Sequence, residues 1–240
     1  MVRKRLLALG AALLLSVLLA APAGAAENGL VTVSPSDMHG WGFVNDNRGT
    51  GKMVFGPGRP LGEGSAELTL AASTDGFALA TLNHDGTRIA NITSLNYSTY
   101  TRNANAIALQ LAVSNIGFTH YHRFVFEPRI QAPMAVEANQ WQRWNATAPL
   151  ARWWVSDSSN ELTFCKQAAP CTWTDLKGHY PLATITGGVW LKAGSGWTMD
   201  PSTSANKYNV DGLHFAASSP RSNVLYDFEP SDDSEHDNGD

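Results

Sequence analysis

Short runs rich in Val, Ile, Thr, Phe and Leu recur along this chain, and each is soon interrupted by a cluster of Gly, Asn, Asp or Pro. Such spacing leaves little room for long helices and suits strands joined by turns. Strands are expected near Leu30–Ser34, Gly42–Asn45, Lys52–Phe55, Ser65–Ala71, Phe77–Leu82, Ile92–Thr101, Ala106–Ser114, His120–Glu127, Ala151–Val155, Thr184–Ala193, Gly212–Ala217 and Val224–Phe228. In Leu68-Thr69-Leu70 and Ile107-Ala108-Leu109-Gln110-Leu111 the larger apolar side chains alternate, which puts them on one face of a half-buried strand. Helix has one candidate, Thr172–Tyr180, where Thr172 or Thr174 can cap a turn or two before Pro181 ends it. The pattern predicts an all-β fold, a two-sheet antiparallel β-sandwich of jelly-roll type with one short helix.

The first residues set the compartment. Arg3, Lys4 and Arg5 precede an apolar run from Leu6 to Ala20, and Ala23-Gly24-Ala25 offers small residues for cleavage, so residues 1–25 read as a secretory signal peptide. The run falls short of the roughly 20 residues a spanning helix needs, so a secreted, extracellular protein is expected, with no membrane insertion. One domain should occupy residues 26–230, a size at which an all-β sandwich can bury a stable core. Losing Arg3, Lys4 and Arg5 leaves 14 basic against 21 acidic residues, a formal charge of −7. Five of the acids, Asp232, Asp233, Glu235, Asp237 and Asp240, crowd a tail over residues 231–240 that has no apolar residue to bury and is expected to be disordered. With no basic stripe along the chain, nucleic acid is not an expected partner, and a monomer is expected.

Cys165 and Cys171 are the only cysteines, and in an oxidising compartment they are expected to form a disulfide. Their spacing does not fit C-x-x-C, and no second pair completes a zinc site. So small a ring constrains the unfolded chain by on the order of 2 kcal/mol in the chain-entropy model, so it should shape a loop more than hold the fold.

Trp41-Gly42-Phe43 with Asn45-Asp46, the stretch Gly56–Leu70, Leu95–Tyr100, Phe124–Pro128, Trp141–Ala146, Trp153-Trp154, Trp173–Ile185, Asn209–Phe215 and Tyr226–Pro230 together span nearly the whole chain after the signal. In these elements the chain resembles secreted bacterial β-sandwich modules, extracellular jelly-roll domains of the galactose-binding or lectin-like type. The resemblance implies architecture more than activity, since such sandwiches carry sugar binding, adhesion, calcium sites and occasionally catalysis. It transfers no catalytic set. In similar sugar-binding sandwiches polar turn openings feed a structural calcium, and Asn45, Asp46 and Asp211 offer the hard oxygens calcium takes. The competing reading is that these Asn and Asp residues simply make turns.

Eight Trp are present, and six of them (Trp141, Trp144, Trp153, Trp154, Trp173 and Trp190) crowd one stretch. An exposed indole offers a flat face on which a pyranose can stack, while a buried one fills the core and needs one partner for its N–H. Trp153 and Trp154 are adjacent on an expected strand and must point to opposite faces. Trp141, Gln142, Trp144 and Asn145 mix indoles with amides and, with Trp154, form the expected ligand contact.

His120 and His122 share a strand face with Glu127 farther along, a spacing that resembles the metal ligands of cupins; the second cupin motif has no counterpart, which favours a structural pair. Glu67, Glu127, Glu137, Glu161, Asp200 and Asp211 are the acids from which a polysaccharide-cleaving pair would be drawn. No nucleophile elbow, zinc-protease helix or phosphate-binding loop is present. The first expectation is a non-catalytic module binding an extracellular polysaccharide or glycan. The alternatives are a polysaccharide-active enzyme and a structural or adhesive surface protein.

Overall fold

A computed structural model describes residues 28–58, 60–117, 122–157, 163–197, 199 and 206–231. The signal segment, most of the acidic tail, His120, Glu161 and Asp200 lie outside the described residues. In chain order the strands are β1 (Asn28–Val33), β2 (Trp41–Asn47), β3 (Thr50–Phe55), β4 (Gly64–Leu70), β5 (Gly76–Thr81), β6 (Ile92–Thr101) and β7 (Ala108–Ser114). They continue with β8 (His122–Phe126), β9 (Trp141–Asn145), β10 (Arg152–Asp157), β11 (Cys171–Thr172), β12 (Thr184–Gly194), β13 (Asn206–Ser218) and β14 (Arg221–Phe228), with helix α1 (Trp173–His179) after β11.

These strands form two seven-stranded sheets. One runs β11-β10-β8-β7-β12-β5-β2. The other is built around β13, whose first half pairs with β4 and whose second half pairs with β14 on the same edge. β6 lies along the other edge of β13 and carries β9 beyond it, while β3 flanks β4 and β1 flanks β14. All pairings are antiparallel except β1 with β14, which are parallel. A parallel pair needs a long connection between its strands, and here the rest of the domain supplies it.

Each sheet turns one apolar face inward. Leu68, Leu79, Leu95, Tyr97, Leu109, Leu111, Phe124, Leu191, Phe215 and Tyr226 are all fully buried between them. The indole of Trp41 in one sheet meets Tyr226 and Phe228 of the other edge-on, with ring centres 5.1 and 5.2 Å away. The alternation Tyr226-Asp227-Phe228-Glu229 predicts both rings inward and both acids in water, and the two rings do point inward. Asp227 and Glu229, expected in water, are instead 6% and 4% exposed, because the loop joining β3 to β4 covers them.

Two local expectations hold. Thr172 caps α1: its hydroxyl accepts from the Asp175 amide at 3.1 Å, while the Asp175 carboxylate accepts from the Thr172 amide at 3.2 Å. Cys165 and Cys171 are joined in a disulfide, with Cα atoms 5.1 Å apart. Among the described residues no helix is long and apolar enough to cross a membrane. The segment Trp141–Asn145 was expected as a contact cluster; it is a strand, and its alternation decides which of its side chains can meet a ligand.

Candidate functional site: a groove across one sheet

The register of five strands builds the site. Trp141 of β9 lies opposite Tyr100 of β6, Tyr100 opposite Asn209 of β13, Asn209 opposite Glu67 of β4, and Glu67 opposite Lys52 of β3. Directly paired residues project to the same side of a sheet, so these five make one row on the outer face. At strand spacings of 4.7 to 4.9 Å the row spans about 19 Å. Their chain neighbours Met53, Ala66, Tyr208 and Thr99 point the other way and are buried.

Two adjoining hollows follow this row. One, of about 280 Å³, is lined by Lys52, Val54, Phe55, Glu67, Tyr100, Arg102, Lys207 and Asn209 together with Pro57. The other, of about 390 Å³, is lined by Pro60, Leu61, Ser98, Trp141, Arg143, Gly212 and Leu225. Pro57 of the β3–β4 loop lines the first hollow, and Pro60 and Leu61 of the same loop line the second. The Trp141 indole N–H donates to the Pro57 carbonyl at 2.8 Å and so fixes both the ring and the loop. Tyr100 supports Trp141 with ring centres 5.9 Å apart, and Phe55 is 67% exposed at the rim. Lys207 reaches Glu67 at 3.2 Å.

Of the side chains expected to meet ligand, Trp141 alone lines this groove. Gln142 is turned aside: its amide oxygen accepts from the Glu137 amide at 2.7 Å and its amide nitrogen donates to the Ala135 carbonyl at 2.8 Å. Trp144 is 1% exposed and donates to the Thr99 hydroxyl at 2.8 Å, so it is a core residue. Asn145 accepts from the Thr147 amide and shapes a turn. Trp154 sits in the other sheet, opposite Val125, and is not brought to Trp141. Tyr100, Phe55 and the basic residues escaped the sequence reading. The alternation Asn96, Ser98, Tyr100 on an expected strand was their available signal; cross-strand register was not available.

The residues expected to hold calcium are dispersed. Asn45 and Asp46 lie on β2, and the Asp46 carboxylate is ion-paired with Lys192 at 2.6 Å. Asp211 is in the opposite sheet, fully buried, and accepts from the Phe228 amide at 3.0 Å. Its neighbours there are Asp227 and Glu229, and Asp211 Oδ2, Asp227 Oδ1 and Glu229 Oε2 meet no donor. Burial pushes Asp211 up to about 7, and burial with the adjacent Glu229 carboxyl raises Asp227 as well. Among the described residues no three His, Cys, Asp or Glu side chains are arranged to hold a metal ion. Burial holds Asp211 and Asp227 towards the protonated form.

The other candidate acids are also accounted for. Glu127 binds Arg129 at 2.7 Å and Gln167 at 3.2 Å, and Glu137 accepts from Gln140. Among the described residues Glu67 is the one carboxylate lining the two hollows, so no pair of described acids faces across them. His122 is buried on β8, and it belongs to no metal-holding group among the described residues.

No protein-family model matches the chain, and no curated protein sequence matches it. Among solved structures it is similar to the family 11 carbohydrate-binding module of the cellulosomal cellulase Lic26A-Cel5E of Clostridium thermocellum, at 11% identity and a TM-score of 0.42 over 80% of this chain and 91% of that one. It is likewise similar to the family 11 module from Clostridium thermocellum in complex with a β-1,3-1,4-mixed-linked tetrasaccharide, at 11% identity and a TM-score of 0.41 over the same shares. The two-sheet architecture of this chain stands on its own strand pairings.

Proposed function

We propose that this protein is a non-catalytic module, exported by its N-terminal signal, that binds an extracellular carbohydrate along the groove across β9, β6, β13, β4 and β3. The observation that carries this reading is the row of Trp141 and Tyr100 with exposed Phe55 at its rim, set among Asn209, Ser98 and charged side chains. Aromatic faces stack on the C–H faces of sugar rings, and neighbouring polar groups bond the hydroxyls. Anchoring the indole through Pro57 reduces the side-chain freedom lost when a ligand docks. The row is long enough for a glycan of several residues, and an open groove admits a polymer rather than a chain end. Glu67, ion-paired and without a second described acid across the groove, does not make the carboxylate pair that glycoside hydrolysis uses.

Retention on immobilised polysaccharides, measured with and without calcium, tests the proposal. Wild-type protein should be held, and Trp141→Ala and Tyr100→Ala should each weaken binding about tenfold or more while circular dichroism stays unchanged. Absence of binding to any polysaccharide in either condition, or full binding by both variants, would overturn it.

A further inference from the structure

From the charges around this groove we infer that its ligand is an anionic polysaccharide, one carrying uronate carboxylates or sulfate esters; this rests on the carbohydrate-binding reading above. Among the described residues the first hollow is lined by Lys52, Arg102 and Lys207 against Glu67, a net charge of +2. Among the described residues the second adds Arg143 and no lining acid. The chain as a whole carries −4, so this concentration of positive charge runs against its balance. Lys207 is ion-paired with Glu67 here, as Lys192 is with Asp46 in the other sheet. Lys52, Arg102 and Arg143 are left without an acidic partner among the described residues, and Arg102 and Arg143 are exposed.

Geometry makes these cations one set. Lys52 ends the row that begins at Trp141, Arg143 follows Trp141 by two residues on the same strand face, and Arg102 leaves β6 two residues beyond Tyr100. A sugar stacked on Trp141 or Tyr100 would thus hold its ring substituents against guanidinium groups, which pair with carboxylate or sulfate oxygens in a two-pronged manner. Neutral glucans leave such donors to weaker hydroxyl acceptors. Salt screens such contacts over about 8 Å at physiological ionic strength, so discrimination should weaken in high salt.

The test is an affinity comparison on the mature chain with polygalacturonate, a sulfated glycosaminoglycan and a neutral mixed-linkage β-glucan, alongside a single-stranded oligonucleotide. Wild type should bind at least one of the two acidic polymers about tenfold more tightly than the neutral one, and added salt should erase most of that margin. Lys52→Gln with Arg102→Gln should remove the preference, and Arg143→Gln should reduce it; which acidic polymer is held identifies carboxylate or sulfate as the recognised group. Binding of the neutral glucan that is as tight as that of both acidic polymers, lost in Trp141→Ala and indifferent to the charge variants, overturns this inference and leaves the carbohydrate reading standing. Equal retention of the oligonucleotide overturns it in favour of a general polyanion surface. Failure to bind any polysaccharide overturns both.

Discussion

Three buried carboxyls show how much a single side chain's setting matters. Asp211 lies under the β3–β4 loop with Asp227 and Glu229, and the Glu63 amide donates to Glu229 at 2.7 Å from that loop. Burial first, and neighbouring carboxyls after it, raise the proton affinity of Asp211 and Asp227 above the ordinary 3.8. A raised acid favours the protonated folded state, so the stability these groups contribute is full below about 3.8 and is lost as pH rises through about 7. His84 acts in the opposite sense: burial against Phe215 lowers it from 6.5 to about 4, so its contribution is present above 6.5 and is lost as pH falls towards 4. Replacing Asp227 by neutral Asn isolates the first effect. Thermal unfolding at pH 5 and pH 8 should show Asp227→Asn more stable than wild type at pH 8, with a smaller difference at pH 5; an equal change at both values would mean that charge is not the cause.

At the scale of elements, the β3–β4 loop connects the acids to the groove. Gly56 donates to the Glu63 carbonyl at 3.0 Å, the Ser65 hydroxyl donates to the Gly56 carbonyl at 2.7 Å, and Pro57 receives Trp141. Gly62 within it has a φ of 53°, and a Cβ there would run into the Glu229 carboxyl. Gly62→Ala should therefore destabilise the fold by about 1 to 3 kcal/mol in equilibrium denaturation, and should weaken polysaccharide retention by loosening the loop from Trp141. The Cys165–Cys171 ring is a contrasting element: it closes only six positions of sequence. The double variant Cys165→Ala, Cys171→Ala should still fold, with a loss of about 2 kcal/mol, and failure to fold would show that the bridge anchors more than its loop.

Across the whole molecule, stability is concentrated where the two sheets meet. Phe228, fully buried beneath Trp41, should cost about 3 to 5 kcal/mol when changed to Ala, measured by chemical denaturation. Leu30 of β1 is 59% exposed, and Leu30→Ala should stay within about 0.5 kcal/mol of wild type. Comparable losses at the two sites would mean that β14 is not the inner seam described here. The groove lies on the outward side of this same seam, so ligand contacts can vary while the interior stays packed.

Much of this plan was legible locally. Period-two alternation announced most of the strands and the inward turn of Tyr226 and Phe228, Thr172 announced the start of α1, and the lone cysteine pair announced its bond. These features depend on residues close in sequence, where side-chain direction and turn chemistry act without help from distant chain. Trp141 could be singled out as a candidate for the same reason, but Gln142, Trp144 and Trp154 could not be sorted from it until β9 was seen to pair with β6 and β10 to lie in the other sheet. The row from Trp141 to Lys52 needs four registers spanning residues 52 to 209, and the burial of Asp227 and Glu229 needs a loop more than 160 residues earlier in the chain to fold over them. Alternation assigns a side chain to a face; only the packed sheets decide which faces meet water, which are covered, and which residues from distant strands share a surface.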